Sequence, residues 1–148
     1  MEKLISTTKR AYLAGFLDGD GSIYVQSKPN ITYKFGYQIA PYIVLFQSQK
    51  DQKNFEQLCS MINLGYMRIR KDGILEYIIG KQENITKFIN LVEPYVILKE
   101  LQVKLIKKII IAKNSVQNKE DFEVVMKLVD TFRELNYSKK RKVRTLTP

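Results

Sequence analysis

Histidine is absent from this 148-residue chain, and cysteine occurs once, at Cys59. Without histidine there can be no serine–histidine triad, no histidine general base, no Cys/His zinc site and no histidine-metal nuclease site. A single cysteine excludes an internal disulfide and indicates a reducing compartment. No apolar run reaches the roughly 18 residues of a membrane span, and the first ten residues have no signal-peptide core. The chain length predicts one domain, and the missing apolar run predicts no membrane-spanning segment.

Positive charge dominates what is present. The chain has 25 Lys and Arg against 15 Asp and Glu, a formal net charge of +10, and 45% of its residues are apolar. That apolar fraction suffices for a core, and the charge predicts a polyanionic partner. An acidic membrane surface is the rival partner. Nucleic acid is favoured because the basic residues map to alternating strands rather than to one helical face.

Apolar periodicity predicts an α+β fold with a four-stranded antiparallel sheet and helices on one face, in the order αββαββα. We expect a single domain over residues 1–137 and a basic tail over 138–148. Pro41 lies inside the second strand, which predicts an edge position or a bulge there. The helices are expected at about Thr7–Asp18, Lys50–Ile62, Glu83–Val92, Lys99–Ala112 and Lys119–Leu135. The strands are expected at about Ser22–Lys28, Tyr37–Leu45, Tyr66–Arg70 and Ile74–Ile79, with a hairpin turn at Asp72-Gly73.

One face of the predicted sheet is polar. In the first strand, Ile23 and Val25 alternate with polar side chains, so the two sets lie on opposite faces. The polar face carries amides, tyrosines and arginines, which suit base edges and phosphates. An ordinary solvated face is the alternative, and alternation alone does not separate the two.

The first predicted helix has a stripe of small residues. Ala11, Gly15 and Gly19 follow each other at intervals of four, so they line one face and let another backbone approach closely. The helix then ends near Asp20, a hard oxygen ligand that suits Mg²⁺. The alternative is a packing stripe that ends in an Asp/Gly turn.

The segment from Leu13 to Gly21 resembles the LAGLIDADG motif of homing endonucleases, with Phe16 and Gly19 as departures. Lys28-Pro29-Asn30, Tyr33-Lys34-Phe35 and Gly65-Tyr66, with the basic tail, are similar to the small single-motif homodimeric members of algal chloroplast introns. The resemblance covers nearly the whole chain.

This resemblance implies a metal-dependent endonuclease that hydrolyses both strands of a long pseudo-palindromic DNA target in support of intron mobility. Asp20 matches the metal-binding residue, the carbonyl of Gly19 matches a second ligand, and Asp18 matches a structural position. Mg²⁺ is the expected cofactor, with Mn²⁺ substituting and Ca²⁺ supporting binding without cleavage, and no small-molecule cofactor is expected. An organelle, with the chloroplast foremost, is the expected location. The implied homodimer interface contains Ala11, Tyr12, Gly15, Phe16 and Gly19.

The other implied catalytic residues surround the water pocket. Gln47 takes the glutamine position without gaps, which puts Asp51 where the family has a basic residue. A shift of two residues restores Gln49 and Lys53 together, so we prefer that pair and keep Gln47 open. Lys99 matches the second basic residue of the pocket.

The resemblance also implies DNA contacts. Arg68 and Arg70 can read guanine, Gln26 and Gln38 adenine, and Ala40 and Val44 thymine methyl groups. In the tail, Lys139, Lys140, Lys142 and Arg144 are expected to bind phosphate. The full set on the strands and their loops is Tyr24, Gln26, Lys28, Asn30, Thr32, Tyr33, Gln38, Ala40, Tyr42, Val44, Tyr66, Arg68, Arg70, Glu76 and Ile78.

Two rival functions use the same fold. An RNA-binding intron maturase would keep the basic sheet without needing Asp20. A DNA-binding protein that does not cleave would keep the DNA contacts alone.

Overall fold

The structure is a computed structural model that describes residues 4–136. The helices are α1 (Thr7–Asp20), α2 (Gln52–Ile62), α3 (Gln82–Val92), α4 (Glu100–Asn114) and α5 (Lys119–Asn136). The strands are β1 (Gly21–Pro29), β2 (Tyr37–Ser48), β3 (Tyr66–Ile69) and β4 (Ile74–Ile79). They form one four-stranded antiparallel sheet in the order β1-β2-β4-β3, which confirms the α+β prediction. A 3-10 turn over Gln49–Asp51 separates β2 from α2.

Helix α1 begins and ends for identifiable reasons. The Ser6 hydroxyl accepts a hydrogen bond from the Lys9 amide at 3.4 Å and caps its start. The predicted end at Asp18 is wrong, because the helix continues through Asp20 and stops at Gly21. A Cβ on Gly21 would lie 2.7 Å from Leu17 Cδ1 and 2.8 Å from the Leu17 carbonyl oxygen. Glycine is therefore required where the chain leaves the helix for β1.

Strand β2 is longer and more central than predicted. It runs three residues past Leu45, to Ser48, and lies between β1 and β4. The sequence predicts an edge position or a bulge at Pro41, and on the β4 side this residue does lie beyond the paired segment of β2. The ladder between β2 and β4 starts at Ile43, paired with Ile79, so Pro41 lies outside that ladder and its missing amide costs none of these bonds.

The register of the β2, β4 and β3 strands defines two faces. Leu45, Tyr77 and Met67 are cross-strand neighbours on one face. Phe46, Glu76 and Arg68 are neighbours on the other. The side chains of Leu45 and Tyr77 are buried, whereas Arg68 is exposed. Arg68 and Glu76 therefore lie on the predicted polar face, which also carries the apolar side chains of Val44 and Ile78.

The described chain divides into two compact units, and β1 and β2 each have residues in both. In the first unit, residues 4–23 and 41–103, helix α1 contacts α3. The Arg10 guanidinium donates to the carbonyl oxygens of Leu91 at 2.8 Å and Asn90 at 3.0 Å, and it lies 5.5 Å from the Tyr95 ring centroid. A cation at the last carbonyls of α3 also complements the helix dipole.

The second unit contains residues 24–40 and 104–136. The Phe35 ring, in the loop between β1 and β2, stacks on Phe122 of α5 with centroids 5.1 Å apart. Buried side chains on α5, Val125, Val129 and Phe132, recur at helical spacing and form its inner face. Between residues 4 and 136, no helix is long and apolar enough to cross a membrane.

Candidate functional site

Asp20 lies in the last turn of α1 and is exposed, as is Gly19. A Cβ built on Gly19 would meet no atom within 4 Å, so a ligand or another chain has open access to this helix end. Within residues 4–136, no group of three acidic or cysteine side chains could hold a metal ion. Mg²⁺ usually keeps several waters and binds one or two protein carboxylates together with substrate phosphates. One exposed carboxylate and a nearby carbonyl fit that mode and leave the remaining ligands to be supplied from outside the chain.

Asp18 has a different environment from Asp20, two residues away. Its Oδ2 accepts hydrogen bonds from the amides of Ile97 at 2.8 Å and Leu98 at 3.0 Å, and its Oδ1 accepts one from Lys99 at 3.1 Å. These amides immediately precede α4, where the positive end of the helix dipole favours an anion. The carboxylate therefore connects the end of α1 to the start of α4. A structural role fits this position.

Lys99 is hydrogen-bonded to Asp18 through both its backbone and its side chain. Its amide donates to the Asp18 carboxylate, and its Nζ donates to the Asp18 carbonyl oxygen at 3.0 Å. The lysine side chain is therefore brought to the last turn of α1, which also carries Asp20. Among the basic catalytic candidates, Lys99 is hydrogen-bonded to this helix.

The two candidate glutamines lie in different settings at the end of β2. Gln47 is half-buried on the face of Leu45, opposite Leu75 in the ladder, and its Oε1 accepts from the Ser48 amide at 2.8 Å. Gln49 is exposed in the 3-10 turn, and its backbone amide donates to the Gly73 carbonyl oxygen at 2.9 Å. Lys53 is exposed in the first turn of α2. Gln49 thus borders the β3–β4 turn, whereas Gln47 belongs to the strand.

The small-residue side of α1 is open. Ala11, Gly15 and Gly19 are exposed, Tyr12 has 62% of its surface exposed, and a Cβ on Gly15 would meet nothing within 4 Å. Phe16 is half-buried, because its ring stacks on Phe55 with centroids 5.9 Å apart. The predicted interface residues therefore share an accessible helix, although the Phe16 ring is partly covered by Phe55 of the same chain.

Two exposed arginines mark the β3–β4 hairpin, and each has an acidic neighbour. Arg68 Nε lies 3.5 Å from Glu76 Oε1 across the strands. Arg70 Nη2 lies 2.6 Å from Asp72 Oδ2 within the turn. The sequence predicts Asp72 only as a turn residue. In the sequence, this ion pair is indicated only by the separation of two residues between Arg70 and Asp72.

Three predicted DNA contacts lie at nearly buried positions. Ala40, Val44 and Ile78 retain only 7%, 2% and 7% of their surface exposed. Val44 and Ile78 are cross-strand partners in the two interior strands. Ala40 is a short side chain on the same interior strand, β2. None of the three presents a methyl group to an external base in this conformation.

The other predicted contacts of the first unit are more accessible. Tyr42 and Glu76 are half-buried, and Tyr66 is 59% exposed.

The β1–β2 hairpin is described within the second unit. Gln26 and Lys28 are exposed, whereas Tyr24 and Gln38 are half-buried. In the loop, Asn30 Oδ1 accepts from the Thr32 amide at 3.0 Å and from Thr32 Oγ1 at 2.6 Å. Tyr33 is 43% exposed. Lys139, Lys140, Lys142 and Arg144 lie outside the described residues.

Neither the buried Cys59 thiol in α2 nor the buried Tyr77 phenol in β4 is suited to nucleophilic chemistry. Burial, with a smaller effect of the Glu56 charge, raises the pKa of the Cys59 thiol to about 12. Burial also raises the pKa of Tyr77, whose oxygen accepts hydrogen bonds from the Leu64 and Gly65 amides at 2.8 and 2.7 Å. Cys59 is an unreactive core thiol, and Tyr77 fixes the loop before β3.

Comparison with known proteins identifies the relatives of this chain. A family model described as LAGLIDADG endonuclease matches residues 13–112. The chain is 39% identical over 140 residues to the DNA endonuclease I-CreI of Chlamydomonas reinhardtii, covering 92% of this chain and 83% of the relative. It is 30% identical over 138 residues to the DNA endonuclease I-CvuI of Chlorella vulgaris, covering 91% and 84%.

A solved structure agrees with these matches. The crystal structure of the homing endonuclease I-CvuI in complex with its target, in the presence of 2 mM Ca, superimposes with a TM-score of 0.82. The two sequences are 28% identical over 91% of this chain and 86% of that one. Fold and sequence together define the class of this protein, a homing DNA endonuclease. More particularly, the chain belongs to the LAGLIDADG endonuclease family and is a homologue of I-CreI and I-CvuI.

Proposed function

We propose that this endonuclease is a homodimer that uses Mg²⁺ to cut both strands of a long pseudo-palindromic DNA target. The observation that carries the proposal is the placement of Asp20. An exposed carboxylate ends an open helix face, and Lys99 is hydrogen-bonded to the same helix turn. One chain offers one such carboxylate, so two strand cuts call for two chains.

The accessible side of α1 supports self-association. Gly15 and Gly19 leave room for a second backbone, and Tyr12 is a large apolar side chain left exposed beside them. Ile97 and Leu98, whose amides bind Asp18 at the end of α1, are 77% and 75% exposed. Exposed apolar side chains around a small-residue face suit a homodimer interface.

The donor set around Asp20 suits a divalent cation. The Asp20 carboxylate and the Gly19 carbonyl are hard oxygen ligands, and two such sets approach each other if α1 packs on its counterpart. When bound, the metal supplies an activated water and neutralises charge on the leaving oxygen. A relative, I-CvuI, was crystallised with its own DNA target in 2 mM Ca, and with the I-CreI target in 2 mM Mg, where the DNA was not cleaved. We expect Mn²⁺ to replace Mg²⁺, and Ca²⁺ to permit binding without cleavage.

The residues of this chain would act on the phosphate around the metal. Asp20, with the Gly19 carbonyl, would hold the cation. Lys99, held by its contact with Asp18, donates to an anionic oxygen and stabilises developing negative charge. Gln47 or Gln49, with Lys53, would orient the attacking water.

DNA recognition is assigned to the two hairpins. Arg68 and Arg70 on the β3–β4 hairpin can each donate two hydrogen bonds to guanine. Gln26 and Lys28 on the β1–β2 hairpin are exposed at alternate positions and can reach bases or phosphates. Relatives have been crystallised with DNA targets, among them I-CvuI and the archaeal I-Vdi141I.

Intron mobility in an organelle is the proposed biological setting. Its support is the origin of the two relatives, which come from Chlamydomonas reinhardtii and Chlorella vulgaris. The chloroplast is the proposed compartment. A cut in an intronless copy of the host gene would allow the intron to be copied into it.

The test is cleavage of a randomised duplex library by purified protein in Mg²⁺, with sequencing of the cut ends. Parallel reactions use Ca²⁺, the Asp20→Asn variant, and Gln47→Ala and Gln49→Ala as a matched pair. We expect a pseudo-palindromic site in Mg²⁺, no cut ends in Ca²⁺ or with Asp20→Asn, and retained binding in both. The more damaging glutamine substitution identifies the active-site glutamine.

Other outcomes separate the rival functions. Comparable cutting by Asp20→Asn would refute the metal-site assignment. Enrichment of bound DNA without cut ends would indicate a DNA-binding protein that does not cleave. No enrichment of DNA, with binding to intron RNA, would indicate a maturase.

A further inference from the structure

The β3–β4 turn fixes the position of one acidic side chain very closely. The Gly73 amide donates to the Arg70 carbonyl at 3.1 Å, and the Arg70 amide donates to the Ile74 carbonyl at 2.9 Å. Gly73 has a positive φ of 82°, which closes the hairpin with a left-handed residue. Asp72 precedes it, and its Oδ1 accepts from the Ile74 amide at 3.2 Å. One carboxylate oxygen is thus bound to the backbone of the turn.

The second oxygen of Asp72 is bound to Arg70. Its Oδ2 accepts from Nη2 at 2.6 Å, a short charge-assisted contact that spans only two residues. The guanidinium is a planar group with five donors, and a carboxylate on one edge restricts rotation of the plane. An arginine that reads guanine must present two coplanar donors to O6 and N7. Because Asp72 already restricts rotation of the Arg70 guanidinium, binding to guanine costs less rotational entropy.

The neighbouring residues do not serve the same purpose. Arg68 lies 3.5 Å from Glu76, a longer contact made to a different strand. Lys71 lies in the same turn and is exposed. Asp72 alone among these acidic groups is anchored to the turn backbone and to an arginine side chain.

We propose that Asp72 is a positioning residue for DNA specificity, which orients the Arg70 guanidinium for guanine recognition. This inference rests on the proposed DNA-contacting role of the β3–β4 hairpin. It assigns to Asp72 a role in target choice that is separate from its role in the turn. Its negative charge weakens non-specific phosphate binding at the same time, because it offsets one cation of the hairpin.

The test is the base preference of DNA bound in Ca²⁺, selected from a library randomised at every position of the target. Arg70→Ala first identifies the base pair that Arg70 reads. Asp72→Asn is the informative variant, since Asn is well tolerated before Gly in hairpin turns and its single oxygen can still accept from the Ile74 amide, whereas its NH2 group cannot accept from the Arg70 guanidinium. We expect preference for guanine at that pair to fall between about fivefold and a hundredfold, with preferences elsewhere unchanged.

Two comparisons keep the inference open to refutation. In the Arg70→Ala background, Asp72→Asn should produce no further loss of preference. Lys71→Ala, the control in the same turn, should weaken binding to all sequences and leave base preference unchanged. An unaltered guanine preference in Asp72→Asn would overturn the inference and leave Asp72 as a turn residue. Failure of the unsubstituted protein to select any DNA would instead refute the proposed function.

Discussion

At the scale of single residues, Asp18 and Asp20 are chemically identical groups with different surroundings. Asp18 accepts three backbone hydrogen bonds at the start of α4, whereas Asp20 is exposed at the end of α1. The first carboxylate satisfies amides that would otherwise lack partners. The second is available to an external cation. Stability and catalysis are therefore expected to depend on different members of this pair.

Substitution by alanine tests this division. Asp18→Ala leaves three amides without their acceptor, so we expect the free energy of unfolding to fall by about 1–3 kcal/mol. Asp20→Ala removes a negative charge from a helix C-terminus, so we expect no loss of stability and a complete loss of cleavage. Urea unfolding and a cleavage assay measure the two effects. Equal destabilisation by both variants would contradict the assignment.

Asp18 also links stability to chemistry through Lys99. Asp18→Asn keeps one acceptor oxygen and the side-chain shape, so the fold should be largely retained. If the hydrogen bonds position Lys99, cleavage at saturating DNA should fall while DNA affinity in Ca²⁺ is maintained. A parallel fall in affinity would point to general unfolding instead.

At the scale of elements, α1 combines several demands on fourteen residues. Leu13, Ala14 and Leu17 are fully buried, while Ala11, Gly15 and Gly19 face outward. Two glycines lower the helix propensity of α1, a cost of roughly 0.5–1 kcal/mol each relative to alanine. Because neither glycine has an atom within 4 Å of its missing Cβ, the folded single chain does not require them. A partner helix would explain their presence.

Substitutions at Gly15 test the interface directly. Gly15→Leu should fold normally as a single chain and lose the dimer, because the side chain occupies the space of the partner helix. Lys9→Leu is the control, since it lies on the same helix about 120° around the axis. Sedimentation and circular dichroism report assembly and folding separately. A dimer that persists in Gly15→Leu would place the interface elsewhere.

Several elements could be predicted from sequence because local signals coincide. β4 was predicted at Ile74–Ile79 and is observed there, since Asp72-Gly73 closes the hairpin and apolar residues alternate. The end of α1 was misplaced, because the choice between Gly19 and Gly21 depends on clearance against Leu17. Gln47 and Gln49 could not be separated, because both lie close to the point where β2 becomes a 3-10 turn.

Burial within the sheet was less predictable than strand position. Val44 lies on the predicted face, opposite Ile78 of β4, but is only 2% exposed. Strand periodicity gives the direction of a side chain, and it does not give the size of its cross-strand neighbours. The Asp18 and Asp72 contacts belong to the same category. Both depend on side-chain geometry that alternation does not encode.

At the scale of the whole molecule, the charge of +10 dominates the expected behaviour. Phosphate contacts release counterions, so DNA affinity should fall steeply with salt. This effect distinguishes general attraction from base recognition, because only the former follows the salt concentration so strongly. The contributions of the tail lysines and of the helix lysines to DNA affinity can therefore be compared by removing equal charge from each.

The double substitution Lys139→Ala with Lys142→Ala tests the tail. We expect weaker binding to all sequences and a salt slope smaller by about one unit per lost phosphate contact. Lys108→Ala with Lys119→Ala removes the same charge from exposed positions on α4 and α5 and serves as the control. Affinities measured across a salt series give both slopes. Equal slopes for the two variants would assign the tail no particular contact.

The alternation of side chains along β1 has a consequence for how such an enzyme can evolve. Gln26 and Lys28 are exposed, whereas Val25 between them is buried, so mutations at the first two positions leave the core untouched. If Gln26 and Lys28 contact the target as proposed, substitutions at these positions would change the preferred DNA sequence without loss of the fold. Positions such as Val44 do not offer this freedom, because a new side chain there must first fit among its neighbours. Under the proposed function, a mutation in the target site could then be matched by single substitutions in the enzyme.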